Sequence, residues 1–373
     1  MDFSFSEEQE AVRDLAKQIL EGQVTHERLK ELEAGDERFD RKLWQELANA
    51  GLLGITLPES IGGGGQSFLA AALLLEQVGR TVAMVPVLAT LVMGAMPIAE
   101  FGTAAQQKQW LPGVASGSTV LTAALTEFGT DALHPTTTAR RDGDGWVLDG
   151  VKEEVAAGLV ADAILVPAST GDGNVGVFIV DAKTKGVTLE RQDTTSGIPE
   201  ARLELSGVKV GGDAVLGDPA SGSAVLDWIV QRATAGLCAT AIGVCEQALH
   251  MTAEYTKTRE QFERPIATFQ AVGQRAADAY IDTEAVRLTA WQAVWRLDAG
   301  LPAASEVAVA KFWASEGGQR VVHAAQHLHG GMGVDRDYPL HRYFLWAKQI
   351  ELTLGSETPQ LRALGAMLAA EPA

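Results

Sequence analysis

Gly145-Trp146-Val147-Leu148-Asp149-Gly150 is the stretch that decides how this chain is divided. A short aromatic and β-branched run followed by Asp-Gly reads as a strand entering a hairpin turn at Asp149-Gly150. Similar runs recur at Ala163-Ile164-Leu165-Val166, Gly176-Val177-Phe178-Ile179-Val180 and Ala201-Arg202-Leu203-Glu204-Leu205, with Asp/Gly-rich turns between them. The chain between about 119 and 215 is therefore β in texture. Upstream and downstream of it the pattern is helical, and from Ala220 onward Ala, Leu, Val and Trp dominate over long proline-free intervals. The layout is helical, β, helical, and the two helical segments can pack as one bundle around or beside a small β-barrel or sandwich.

Local signals fill in the first third. Ser6-Glu7-Glu8-Gln9 has capping-box spacing, and Val12, Leu15 and Ile19 then repeat on one helical face until Gly22. Asp40 caps a second helix through Leu43-Trp44-Gln45-Glu46-Leu47, which Gly51 closes. The glycines of Gly62-Gly63-Gly64-Gly65 lack the Lys-Ser/Thr of a phosphate loop and read as a flexible connection.

Composition excludes several functions. The 373 residues carry 48 acidic and 30 basic side chains, a net charge of −18, with 46% apolar and 21% charged residues. Such a chain fills a real core and has no basic run for a phosphate backbone, so nucleic acid is not an expected partner. Cys238 and Cys245 are two helical turns apart, about 10 Å, too far for a disulfide and too few for zinc. They read as small core residues in a reducing cytoplasm. The N-terminus has neither a basic leader nor an apolar core of the secretory kind. Thr81 to Ala99 is uncharged, but Pro86, Gly94 and Pro97 interrupt it, so a buried helix pair is expected there rather than a membrane span. His323, His327 and His329 lack a further ligand at recognisable spacing, so no metal is expected. Trp291 and Trp295, four apart, read as bundle core.

Six segments taken in order resemble the acyl-CoA dehydrogenase family over essentially the whole chain. They are Gly51-Leu52-Leu53-Gly54-Ile55-Thr56-Leu57-Pro58-Glu59, Gln107-Lys108-Gln109-Trp110-Leu111-Pro112, Ala124-Leu125-Thr126-Glu127, Arg259-Glu260-Gln261-Phe262, Phe269-Gln270 and His329-Gly330-Gly331-Met332-Gly333. The resemblance implies a mostly α fold with a middle β domain: an N-terminal helical domain over residues 1–118, a β-barrel or sandwich over 119–217 and a C-terminal four-helix bundle over 218–373. It also implies FAD as cofactor, an acyl-CoA substrate and an electron-transfer flavoprotein as acceptor. In the family a carboxylate removes the α-proton of a CoA thioester while flavin takes hydride from the β-carbon. That proton is weakly acidic, so a desolvated base and stabilised enolate are needed.

The chain departs from the family where that chemistry resides. Counted from Tyr338-Pro339, the usual base position is Leu354 within Thr353-Leu354-Gly355-Ser356, and a one-residue shift gives Gly355. The alternative base position on the first helix of the bundle corresponds to Ala233. Glu351 and Glu357 each lie about a turn away, displaced by about 4–5 Å, and read as solvated surface charges rather than relocated bases. The family's Thr-Glu-Pro-Gly-Ala-Gly-Ser-Asp flavin loop is represented by the shorter Thr126-Glu127-Phe128-Gly129-Thr130-Asp131. Its Trp-Ile-Thr segment is represented by Glu154-Val155-Ala156, which sets a carboxylate where an indole packs on the ring. Burying that carboxylate against a flavin that becomes anionic would be costly.

Other family positions are kept. Arg259, Phe262, Gln270, Gly330 and Gly331 match the residues with which a neighbouring subunit grips the ADP half of FAD, and His327 stands where many relatives have Gln. A guanidinium can engage a pyrophosphate bidentately, and a Gly-Gly turn admits phosphate to backbone amides. The sequence is thus similar to the partner-type subunits of α2β2 acyl-CoA dehydrogenases of actinobacterial steroid side-chain catabolism. The resemblance implies a non-catalytic subunit that shares FAD with a catalytic homologue at their interface. Two alternatives stand beside it: a self-sufficient dehydrogenase with a relocated base such as Glu357, and a cofactor-free structural homologue.

Overall fold

The computed structural model describes residues 4–218 and 221–370. Ala220, where the downstream helical reading begins, lies outside them. The helices are α1 (Glu7–Gln23), α2 (His26–Ala34), α3 (Arg41–Asn49), α4 (Phe68–Thr81), α5 (Met96–Phe101) and α6 (Ala104–Ala115), then α7 (Gly222–Thr258), α8 (Gln270–Asp298), α9 (Ala304–Phe312), α10 (Gly318–His329), α11 (Leu340–Leu352) and α12 (Glu357–Ala370). Strands β1 (Leu121–Ala123), β2 (Thr138–Asp142), β3 (Gly145–Ala156), β4 (Ala163–Gly171), β5 (Asn174–Asp181), β6 (Val187–Gln192) and β7 (Glu200–Val210) form one curled sheet between α6 and α7, and β8 (Glu260–Gln261) with β9 (Arg264–Pro265) makes a small hairpin after α7.

The chain forms two compact units. One comprises residues 31–71 and 84–233 and holds the sheet, and the other comprises residues 1–30, 72–83 and 234–373 and is helical.

In the sheet unit, β3 is the central strand, antiparallel to β2 on one side and to β7 on the other, with β6 beyond β7. β4 runs parallel to β1 and antiparallel to β5. Inward-facing Trp146, Leu148, Val166, Phe178, Val180, Leu203 and Val208 are buried together, and Trp146 meets Phe178 edge-on with ring centroids 5.4 Å apart. The four expected strand runs all lie in strands, but the expected turn does not. Asp149-Gly150 lies within β3, and the chain reverses instead at Gly143-Asp144, where Gly143 has φ +61°. Gly150 serves a register shift between Leu148 and Gly150, where a Cβ would fall 2.5 Å from the Thr137 hydroxyl. The Asp149 carboxylate accepts the Gly207 N–H at 2.7 Å. An Asp-Gly pair suited to a hairpin is thus spent on a bulge, because a second turn-forming pair precedes the strand.

Asp40 caps α3 by accepting the Leu43 N–H at 3.1 Å, and Gly51 follows at φ +76°. The 62–65 glycines form a pinned loop, not a slack one. The N–H groups of Gly63, Gly64 and Gly65 donate to the carbonyls of Pro58, Gly54 and Leu57, and a Cβ on Gly63 would sit 2.1 Å from the Leu57 oxygen. Glycine is required there for close backbone approach. Leu88–Ala95 is π-helical and buried, leading directly into α5.

In the helical unit, the capping box at Ser6 and Gln9 opens α1. Its buried residues are Ala16 and Leu20, whereas Leu15 is 39% exposed and Val12 and Ile19 are half-buried. The packed stripe is therefore rotated by about one residue from the expected one. The bundle part of α4 lies directly against α7: a Cβ on Gly79 would fall 2.0 Å from the Thr240 carbonyl, and one on Gly243 would fall 1.9 Å from that of Glu76. Cys238 and Cys245 are free and fully buried on α7, where desolvation pushes both thiols up to about 12. Trp291 is in the core, edge-on to Phe5 at 5.1 Å. α7 is long and apolar enough to cross a membrane, but 78% of its most apolar window is buried within the protein.

Because backbone fills the space a side chain would need, Gly243→Ala should destabilise the helical unit by about 1–3 kcal/mol or more, the usual range for overpacking. Urea unfolding followed by helical circular dichroism measures it; an unchanged midpoint would show that the two helices can part without cost.

Candidate functional site

The bundle-side residues are held by two short backbone devices. After α7, Arg259 donates its N–H to the Tyr255 carbonyl at 2.8 Å and accepts the Ile266 N–H at 2.8 Å, so its backbone is fixed on both sides. Its side chain is exposed and, among the described residues, has no ion-pair partner. The β8–β9 hairpin turns through Phe262 and Glu263, both left-handed at φ +54° and +61°. Such two-residue turns ordinarily take Asn-Gly, so a bulky aromatic there stores strain. The turn presents Phe262 at 85% exposure, touching Phe269 edge-on at 6.1 Å while the Arg264 guanidinium lies 4.1 Å over the Phe269 ring. Gln270 is exposed at the start of α8.

The second device ends α10. His327 and His323 are exposed, the latter edge-on to Phe344 at 4.9 Å, and His329 is buried. Gly330 adopts φ +61°, ψ −137°, a region open only to glycine. Gly331 is different: its φ is not left-handed, and a Cβ there would meet nothing of this chain within 4 Å. Gly333 packs so closely on α10 that its Cβ would fall 2.7 Å from the Gln326 oxygen. Among the described residues no three His, Cys, Asp or Glu side chains are placed to hold a metal ion.

At the position expected for a base, α11 ends at Leu352 and the chain turns through Leu354 (φ +55°) and Gly355 (φ +90°). The Leu354 carbonyl accepts from Gln360 at 3.1 Å. Glu351 is not the solvated charge its position suggested. It is buried, with its carboxylate on Lys348 Nζ at 2.6 Å, because the helix spacing brings Lys348 beside it on a packed face. Glu357 is half-buried in the first turn of α12. Lys311 gave no sign in the sequence of its role. It is fully buried and donates to the carbonyls of Ile350 and Glu351 at 2.6 and 2.9 Å and to Ser315 at 3.2 Å, capping the end of α11, while burial pulls its ammonium down to about 8.

In the sheet unit, the short loop after β1 is anchored by an ion pair that spacing did not reveal. Glu127 accepts from Lys152 Nζ at 2.5 Å with both side chains buried. It also takes the Thr136 hydroxyl and N–H and the Thr137 N–H. Burial alone would raise this carboxyl, but these bonds, Lys152 foremost, hold it down at about 2, and burial draws Lys152 downward. Phe128, next in the loop, is 96% exposed. Glu154 lies at a register shift between Lys152 and Val155, is exposed at φ +55°, and donates its N–H to Gln192 at 2.9 Å. Ala156 presents a methyl group, and its carbonyl is taken by the Thr122 hydroxyl at 2.7 Å.

Comparison with known proteins follows the same lines. Residues 6–118, 122–208 and 220–369 match the acyl-CoA dehydrogenase N-terminal, middle and C-terminal domain models. The chain is 43% identical to the Mycobacterium tuberculosis protein "Acyl-CoA dehydrogenase FadE27" over 382 aligned residues, covering 100% of each. It matches a chain of the ChsE4-ChsE5 complex from Mycobacterium tuberculosis at 44% identity and a TM-score of 0.95, with 100% of each chain covered. It also matches a chain of the Tcur3481-Tcur3483 steroid ACAD G363A variant at 48% identity and a TM-score of 0.92, covering 97% of this chain and 98% of that one.

Removing one partner of the buried pair leaves the other uncompensated, so Lys152→Met should cost the sheet unit about 3–5 kcal/mol. The pH dependence has a fixed sign. Glu127 binds its proton less tightly folded than unfolded, so its contribution is complete above its ordinary value of 4.5 and disappears as pH falls towards about 2. Denaturant midpoints between pH 7 and 2 for wild type and Glu127→Gln test this: the acid loss should be smaller in the variant.

Proposed function

Since the chain belongs to the acyl-CoA dehydrogenase family along its whole length, we propose that it is the non-catalytic subunit of a heteromeric, α2β2 acyl-CoA dehydrogenase. In this reading it completes the FAD site of a catalytic homologue. The observation that carries the reading is the contrast between the two halves of a flavin site. On the bundle side, Arg259 has no competing ion-pair partner among the described residues, Phe262 is thrust outward by a strained turn, and Gly331 has no atom of the described chain where a Cβ would sit. These features suit an outside ligand carrying phosphates and an aromatic ring system. On the sheet side, Glu154 and Ala156 offer a carboxylate and a methyl where a flavin ring needs an apolar face and a hydroxyl donor. The donor set fits the ADP half and does not fit the ring.

FAD, when bound, supplies the hydride acceptor for α,β-dehydrogenation of a CoA thioester. The residues of this chain do the holding. Arg259 would pair with pyrophosphate oxygens, Phe262 and Gln270 would hold the nucleotide, the amides of Gly330 and Gly331 would donate to its phosphates, and His327 would hydrogen-bond the ADP portion. No proton is moved here: Leu354 and Ala233 are aliphatic, and Glu351 is committed to Lys348. The heteromeric reading draws support from the likeness of this chain to a chain of the ChsE4-ChsE5 complex and to one of the Tcur3481-Tcur3483 steroid ACAD. On that basis the substrate is a CoA thioester of a steroid side chain. The family resemblance adds an electron-transfer flavoprotein as acceptor, the free buried cysteines suit the cytoplasm, and the domains of the subunit run over residues 1–118, 119–217 and 218–373.

Purified alone, the chain should contain little flavin, and co-expressed with its partner it should yield about one FAD per pair, about half the load of a homotetramer. Arg259→Ala should lower that load when measured by flavin absorbance after gel filtration. Stoichiometric FAD with turnover in the lone chain would overturn the reading.

A further inference from the structure

The two parts of the proposed nucleotide grip are joined behind their exposed surfaces by three rings. Tyr255 lies one turn before Arg259, and its carbonyl is the acceptor that fixes the Arg259 N–H. Its ring stacks on His329 with centroids 4.3 Å apart and planes 23° from parallel. Its hydroxyl donates to the His329 carbonyl at 3.4 Å, directly ahead of Gly330 and its glycine-only conformation. Tyr338 closes the far side, 5.3 Å from the His329 ring and 6.4 Å from that of Tyr255.

The polarity of the stack is determined by its ends. His329 Nδ1 sits 2.8 Å from the Ala325 carbonyl, which only accepts, so this nitrogen carries the proton. Nε2 is then an acceptor, and the Tyr338 hydroxyl donates to it at 3.2 Å. Burial also depresses the imidazole, which keeps the ring neutral and the tautomer fixed. The Tyr338 N–H in turn donates to Asp335, whose own N–H donates to Met332 inside the glycine turn. Hydrogen bonds thus run from the backbone of Arg259, through Tyr255 and His329, to both ends of the turn over 330–335. Packing alone does not require this. A Leu or Phe would fill the same interior space and give Arg259 the same backbone carbonyl, but would supply neither the Tyr255 hydroxyl on the His329 carbonyl nor the Tyr338 hydroxyl on the imidazole.

We propose that Tyr255, His329 and Tyr338 are positioning residues that lock the Arg259 hairpin and the Gly330-Gly331 turn into one preformed site for the ADP half of a nucleotide cofactor. The inference rests on the function proposed above for the identity of the ligand. Its advantage is preorganisation: the backbone elements are ordered before the ligand arrives, so binding does not have to order them.

The test uses the full chain co-expressed with its partner, stripped of flavin and titrated with FAD. Tyr255→Phe and Tyr338→Phe keep the rings and delete one hydroxyl each. Each should weaken FAD by about 5–10-fold, the range expected for a lost hydrogen bond, while the melting temperature of the flavin-free complex stays near that of wild type. Tyr255→Phe should cost much less in an Arg259→Ala background, because its effect passes through Arg259. Equal FAD affinity in both tyrosine variants, with Arg259→Ala still weakening it, would overturn the lock and leave the proposed function standing. FAD loss matched by an equal fall in melting temperature, with no coupling to Arg259, would also overturn the lock. Unchanged affinity in Arg259→Ala itself would overturn the proposed function.

Discussion

The helical unit depends on the contact of α4 with α7, where Gly79 and Gly243 let one helix's backbone carbonyls lie against the other's Cα atoms. Helices this close leave no room for side chains between them, so Glu76 and its neighbours are pressed to the margin of the contact. Glu76 is buried there and desolvation pushes its carboxyl up to about 7, although Arg287 from α8 approaches it at 3.7 Å. Glu246 takes both Arg287, at 3.4 Å, and Arg80, at 3.0 Å, and Arg80 also reaches Glu21 at 3.4 Å. Polar groups of α1, α4, α7 and α8 are thereby gathered around one steric fact. α7 leaves that contact to carry Tyr255 in its last turn and to end just before Arg259, and α8 begins at Gln270, so the candidate site elements extend from this close-packed origin.

The division of labour within the chain is also electrostatic. In the sheet unit, the buried pair of Glu127 with Lys152 is saturated, its remaining hydrogen-bonding capacity filled by Thr136 and Thr137. In the helical unit, Lys311 spends its buried ammonium on the carbonyls that end α11. Both are internal supports: each satisfies backbone or carboxylate groups that water cannot reach. Arg259 is the contrasting case, a cation with a fixed backbone, an exposed side chain and no ion-pair partner among the described residues. In the function proposed, Arg259 is offered to a ligand, whereas Lys152 and Lys311 support the fold.

Local chemistry made much of the fold legible in the sequence. The caps at Ser6 and Asp40 and the short strand runs of β4, β5 and β7, set off by Asp/Gly-rich turns, were readable because neighbours along the chain determine them. The family motifs carried the overall architecture and pointed to the residues proposed as the site. Misreadings arose where distant parts of the chain decide the outcome. Asp149-Gly150 is a good turn pair taken over by a bulge against Thr137, and the glycines at 62–65 are held down by Leu57 and Ile55. Leu15 lost its expected place because Ala16 and Leu20 face the packed side of α1. Glu351 looked free because its burial depends on how α11 packs. Lys152, Lys311 and the three rings of the lock could not be found from spacing, since their partners lie tens of residues away or belong to main-chain atoms.

The turn at Phe262-Glu263 carries a lesson for anyone who would toughen this protein. Two left-handed residues with full side chains make an obvious target, and Asn-Gly would relax the backbone at a stroke. It would also erase the outward-facing ring that the discomfort maintains. If Phe262 holds a nucleotide as proposed, a sturdier hairpin and a useful one are competing designs.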